Sequence, residues 1–222
     1  MNYDWDFSIF LTSAPALLKA LIVTLELSIY SSILGTILGI PIALFLNNKV
    51  LKYIALPLND VFRAIPLLVL MFLFYYFPYE ILSIPPLSSY TCALLAMIFA
   101  QAVFTADVIR GALNNISQNA ILGAQSIGMK RMQVFWLIVL PDIIRQVLPT
   151  LIAFYIGNIK LSSLASAINA NELLFAAKVI SGQKFRSLEA WVLVAIIYVI
   201  LVLPLSFMSR KLENSKWIKM KQ

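Results

Sequence analysis

Five long apolar runs, parted by short polar breaks, constrain this chain more than any other feature. They fall at about residues 16–45, 53–78, 88–110, 141–167 and 188–208. Each reaches the roughly 20 residues that a helix needs to cross the hydrocarbon core of a bilayer. In lipid no water satisfies backbone N–H and C=O groups, so only helices or closed barrels span it. Barrel strands would alternate apolar and polar residues over segments of about ten, and no such alternation recurs. The chain is therefore expected to be all-α and integral to a membrane, with about five transmembrane helices. Composition agrees, since 222 residues that are 61% hydrophobic, at a mean hydropathy of +0.90, exceed what a soluble domain can bury.

The polar breaks carry the charge. Lys49 and Lys52 follow the first run, Lys130 and Arg131 lie between the third and fourth, and Arg210, Lys211, Lys216, Lys219 and Lys221 close the chain. The leader (1–15) has no positive charge and the loop at 78–87 has neither Lys nor Arg. Basic loops stay in the cytoplasm, which with five spans sets the N-terminus outside and the C-terminal tail (211–222) inside. The formal charge of +7 thus reflects cytoplasmic loops and anionic lipid, not nucleic acid. Lys178, Lys184 and Arg186 break the rule by falling outside. Either residues 169–187 lie along the membrane surface or the count of spans is off by one. The acidic leader does not look like a cleaved signal peptide, and Trp5 and Phe7 suit an interface. Trp191, Tyr198 and Trp217 are expected at the interface or against lipid. With no histidine and Cys92 as the single cysteine, no disulfide, cysteine zinc site or histidine catalysis is expected.

Finer marks qualify the runs. Gly35 and Gly39 form a GxxxG pair, which reads as small-residue helix packing before it reads as a dimer seam. Pro57 and Pro66 bend the second run, and Asp60 and Arg63 put its start near the cytoplasmic interface. Pro78 to Pro86 reads as a loop, and Pro149 is expected to bend the fourth run. The polar interlude at 118–141 reads as two short helices hinged at Gly128, with Pro141 in the first turn of the next helix.

That interlude, LGAQSIGMKRMQVFWLIVLP at 122–141, resembles the cytoplasmic EAA loop of ABC importer permeases, whose pattern is E-A-A, three residues, G, nine residues, I, one residue, L-P. Leu122 and Gly123 stand where that family has Glu and Ala, so a carboxylate contact to the ATPase is lost or supplied elsewhere. Four further patches resemble the polar amino acid uptake branch: LIVTLELS at 21–28, FRAIPLLV at 62–69, ADVIRGA at 106–112, and KLSSLASAI at 160–168 followed by Glu172-Leu173. The segment at 185–206 belongs with the last of these. The resemblance covers most of the chain and implies the type I ABC importer fold over about 16–210, in the cytoplasmic (inner) membrane of a bacterium. It implies a second permease subunit, identical or related, cytoplasmic ABC ATPase subunits that bind the ATP and Mg, and an extracytoplasmic amino-acid-binding protein. Transport would be by alternating access. Ala124, Gly128, Ile138, Leu140 and Pro141 then form the ATPase-coupling element.

No cofactor is expected in this chain. Gly123 and Gly128 have the spacing of a phosphate loop, but Met129 follows and Arg131 stands where Ser or Thr is needed. Asn158, Lys160, Ser162 and Ser163 are unusual at membrane depth. Asn158 and Ser162 share a helix face, and a mid-membrane Lys needs a partner or a wet cavity. The group reads either as a polar wall of the translocation path or as a structural Lys held by carbonyls at a helix break. Glu26 and Asp107 could balance Lys160 or Arg63, or meet a cationic substrate; for Asp107 an internal ion pair is the plainer reading. Asn115-Ile116-Ser117 matches a glycosylation acceptor but falls on the cytoplasmic side. Two other solute-moving classes compete: a permease for another small solute, and an ion-coupled secondary transporter, which would need repeated halves that the sequence does not display.

Overall fold

The computed structural model describes residues 4–6, 8–85 and 87–214. Phe7, Pro86, Lys216, Trp217, Lys219 and Lys221 lie outside the described residues. The elements are α1 (Ser8–Asn47), α2 (Lys52–Ala64), α3 (Leu67–Glu80), α4 (Ser89–Asn114), α5 (Gln118–Ser126), α6 (Arg131–Val134), a π turn (Phe135–Val139), α7 (Leu140–Leu161), a 3-10 turn (Ser162–Ile168), α8 (Leu173–Lys184) and α9 (Ser187–Glu213). Among the described residues there is no strand, as expected of an all-α membrane protein. Among the described residues four helical stretches are long and apolar enough to cross a bilayer, and α2 with α3 supply a fifth span if the bent pair is one.

Several boundaries differ from expectation. The leader does not run to residue 15: α1 begins at Ser8, whose N–H donates to Asp6 Oδ1 at 2.9 Å, and continues through Pro15. The second run is not one bent helix. It breaks at Ile65 and Pro66 into two helices at 96°. Ile65 is extended (ψ 120°) because a residue before proline avoids the helical region. Pro78, Tyr79 and Glu80 are the last turn of α3, not loop. Pro149 leaves α7 unbroken; the break comes later, at the 3-10 turn and Asn169, which takes the left-handed conformation (φ 59°). Residues 173–184 are helical and packed against the bundle. Leu173, Ala177 and Ile180 of α8 pack with Ile9, Leu17, Ala190 and Val194 of α1 and α9.

The bundle is organised on the pairing of α1 with α4. Gly35 and Gly39 let the two backbones meet: a Cβ on Gly35 would lie 2.5 Å from Gln101 Cβ and 2.8 Å from the Ile98 carbonyl oxygen. One on Gly39 would lie 2.6 Å from Thr105 Cβ. The GxxxG pair therefore packs helices within this chain. Beside it a buried polar network ties three helices. Asn158 Nδ2 of α7 donates to Ser32 Oγ of α1 (3.0 Å) and to Gln101 Oε1 of α4 (2.9 Å). Gln101 Nε2 donates in turn to Thr105 Oγ1 at 3.0 Å. Away from water such bonds fix register, because a wrong pairing strands a polar group in hydrocarbon.

Candidate functional site

Two features of the bundle bear on what it can do. The first is α5. Ser117 caps it, with Oγ accepting the Ala120 N–H at 3.4 Å. At its far end Gly128 N–H donates to the Gln125 carbonyl (3.0 Å) and Met129 N–H to the Ala124 carbonyl (3.2 Å). This is a Schellman stop, which needs a left-handed residue next after the helix, and Gly128 provides it at φ 84°. The expected second short helix is absent as a separate element. α6 runs through the π turn into α7, and Leu140 N–H donates to the Phe135 carbonyl, five residues back. Pro141 thus sits inside a continuous helix, and the π turn ahead of it absorbs the irregularity made by its missing N–H.

The structure divides the expected coupling residues between the two ends of α5. Ala124 is buried, and Gly128 turns the chain back. Ile138 and Pro141 line a recess of about 190 Å³ with Ser117 and Ala120, at the root of the helix. Leu140 is half-buried in the first turn of α7. Leu122 (59% exposed) and Ile127 (80%) face outward, apolar side chains that nothing in the described chain covers.

The second feature is the break between α2 and α3. Phe62 and Arg63 before it, Leu67 and Leu70 after it, and Phe154 and Asn158 of α7 help to line a cavity of about 220 Å³. Phe104 and Phe154 stack across one wall with ring centroids 3.8 Å apart. Arg63 donates to Asp107 Oδ2, so the internal ion pair anticipated for Asp107 is present.

The remaining sequence-derived residues do not form one wall. Asn158 and Ser162 share a face, as their spacing requires, but it is the buried face: Asn158 is spent in the network, and Ser162 Oγ donates to the Ile159 carbonyl at 2.8 Å. Ser163 Oγ bonds the Lys160 carbonyl at 2.6 Å. Lys160 itself is exposed and makes no ion pair among the described residues. Glu26 is half-buried on α1, also without an ion pair there. Tyr198 does not face lipid; its hydroxyl turns inward to Glu172 Oε2 at 3.5 Å. Glu172 is fully buried at the start of α8, accepting the N–H groups of Leu174 and Phe175, both at 2.8 Å. Sequence reasoning missed this cap and the part of Gln101. The signals were there: a carboxylate ahead of an apolar helical run, and an amide alone in the third apolar run, four residues before Thr105.

Comparison with known proteins bears on this geometry. Residues 31–217 match the model of the family described as "Binding-protein-dependent transport system inner membrane component". The chain is 30% identical over 215 residues to "Probable amino-acid permease protein YxeN" of Bacillus subtilis strain 168, covering 96% of this chain and 95% of that one. It is 29% identical over 219 residues to "Glutamine transport system permease protein GlnP" of Escherichia coli strain K12, covering 96% and 98%. Among solved structures, one titled "Crystal structure of an amino acid ABC transporter with histidines" superposes with a TM-score of 0.87 at 25% identity, covering 96% of this chain and 99% of that one.

Proposed function

The chain belongs to the binding-protein-dependent transport system inner membrane components, the permeases of ABC importers, and from that premise we propose that it carries a polar amino acid into the cytoplasm. It is a multi-pass protein of the inner membrane. The N-terminus lies outside, and α2, α5 and the C-terminal tail face the cytosol. Two permease subunits, identical or related, enclose the path, an extracytoplasmic binding protein delivers the amino acid, and cytoplasmic ATPase subunits bind ATP and Mg. This chain supplies no nucleotide site of its own. Gly123 is inside α5 and Gly128 ends it, so the pair forms no loop of backbone N–H groups around a phosphate.

The observation that carries this reading is α5. It is a short helix stopped by a glycine turn, with Ala124 against its own bundle and Leu122 and Ile127 presented outward. A helix of that kind fits a hydrophobic groove on a partner, and a groove that moves as a rigid body moves it too. Leu122 gives this contact an apolar anchor where the resembling family has a carboxylate. The cavity at the α2–α3 break is this subunit's part of the path, and Lys160, exposed in the single subunit, faces the partner subunit.

The test uses the assembled transporter. Leu122→Asp with Ile127→Asp is expected to release the ATPase from the detergent-solubilised complex and to abolish ATP-driven amino-acid uptake in proteoliposomes. The permease should keep its unfolding midpoint, because neither side chain is buried. Full ATPase retention and undiminished uptake would overturn the coupling role.

A further inference from the structure

We propose that Asp107 is a positioning residue that latches α2 over the cytoplasmic mouth of the α2–α3 cavity, and that movement of α5 releases it. The proposal rests on the coupling role given above to α5. It starts from how weakly α2 is held. Of its thirteen residues, Asn59 alone is buried, and Asn59 Nδ2 donates to Asp107 Oδ1 at 3.0 Å. Arg63, one turn on, donates to Oδ2 of the same carboxylate. Both oxygens of one α4 residue are therefore engaged by α2. Arg110 stands 4.0 Å from Oδ1 on α4 itself, and Asp60 acts on Arg63 from α2. Apolar support is slight: Ala55 and Leu56 rest on Ala43, Leu46 and Ala106, and Phe62 meets Phe99 edge-on at 4.9 Å.

The rest of the geometry suits a flap. α3 is anchored in the core by Leu70 and Met71, while the break at Ile65 and Pro66 has no continuous helical hydrogen bonding to resist rotation. α2 can swing there while α3 keeps its place, at the expense only of the small contact of Ala55 and Leu56 with Ala43, Leu46 and Ala106 and the Phe62–Phe99 edge contact. Phe62 and Arg63 line the cavity, so a swing opens it at that end. Asp107 lies two turns before the end of α4, and only Asn115, Ile116 and Ser117 separate α4 from α5. A three-residue link thus joins α5 to the helix that carries the carboxylate. The Arg63 side chain is 60% exposed, so the ion pair adds little to global stability. A modest preference is what a latch that opens in every cycle requires.

The experiment uses the complete transporter in nanodiscs, with Cys92→Ala and a reporter Ala100→Cys on the cavity wall, and follows maleimide labelling without nucleotide. Asp107→Asn is expected to raise the labelling rate roughly 5- to 20-fold, and Arg63→Gln to do the same if Asp107→Asn fails to assemble. The exchanged pair, Arg63→Asp with Asp107→Arg, should return the rate toward that of the reporter alone. Unchanged labelling in the single variants, or an exchanged pair as open as they are, would overturn the latch. Labelling needs no transport. Failure of the unmodified complex to import an amino acid would thus count against the functional reading, separately from the latch.

Discussion

Substituting Gly35 with alanine should be the most informative single change in the bundle. The added Cβ would stand 2.5 Å from both Cβ and Cγ of Gln101 and 2.8 Å from the Ile98 carbonyl oxygen. Gln101 Cγ could turn aside, but its Cβ is fixed by the backbone and the carbonyl is backbone itself, so α1 and α4 must part by about 0.6–0.9 Å to reach ordinary contact. Such overpacking costs about 1–3 kcal/mol. The same shift stretches the bonds from Asn158 to Ser32 and Gln101, now 3.0 and 2.9 Å, each worth about 0.6 kcal/mol in a membrane bundle. The expected loss is therefore about 2–4 kcal/mol, read by equilibrium unfolding in mixed SDS micelles. Gly157→Ala is the control. Nothing lies within 4 Å of its added Cβ, and a helix-interior glycine replaced without a clash should be neutral or mildly stabilising. If Gly35→Ala were as stable as wild type, the close α1–α4 approach would be wrong.

Other changes should separate strain, polarity and capping. Gly128→Ala meets open space but puts a side chain at φ 84°; it should cost about 1–2 kcal/mol locally and impair ATP-driven uptake more than the unfolding midpoint. Asn158→Leu leaves Gln101 Oε1 and Ser32 Oγ short of a donor, a loss of about 1–3 kcal/mol that Gln101→Leu in the same chain should partly recover. Glu172→Ala strips the cap from Leu174 and Phe175, costing about 1–2 kcal/mol, visible as faster hydrogen exchange over 173–184. Tyr198→Phe, which loses a 3.5 Å contact to that carboxylate but leaves its cap of the two N–H groups in place, should change exchange there far less.

Much of the architecture was legible because lipid leaves few choices. The apolar runs dictated helices, Gly35 and Gly39 dictated close packing, and Gly128 dictated a helix stop, each through a rule that acts on neighbouring residues. The second run misled because proline spacing announces a bend but not its angle. Whether Pro66 kinks a helix or divides it at 96° depends on α3 sinking into the core while α2 stays outside. The polar residues of the fourth run misled for a related reason. Asn158, Lys160 and Ser162 are close in sequence, but a helix turns about 100° per residue, so Asn158 and Ser162 went into the bundle and Lys160 out of it.

By itself, then, the sequence determined that this chain is a helical membrane protein and where a short glycine-stopped helix interrupts it, since desolvating the backbone and the φ range of each residue are local matters. Tertiary structure alone decided which polar groups meet. Asp107 joins Asn59 and Arg63, and Asn158 joins Ser32 and Gln101, because those pairings depend on the rotation and approach of helices distant in sequence.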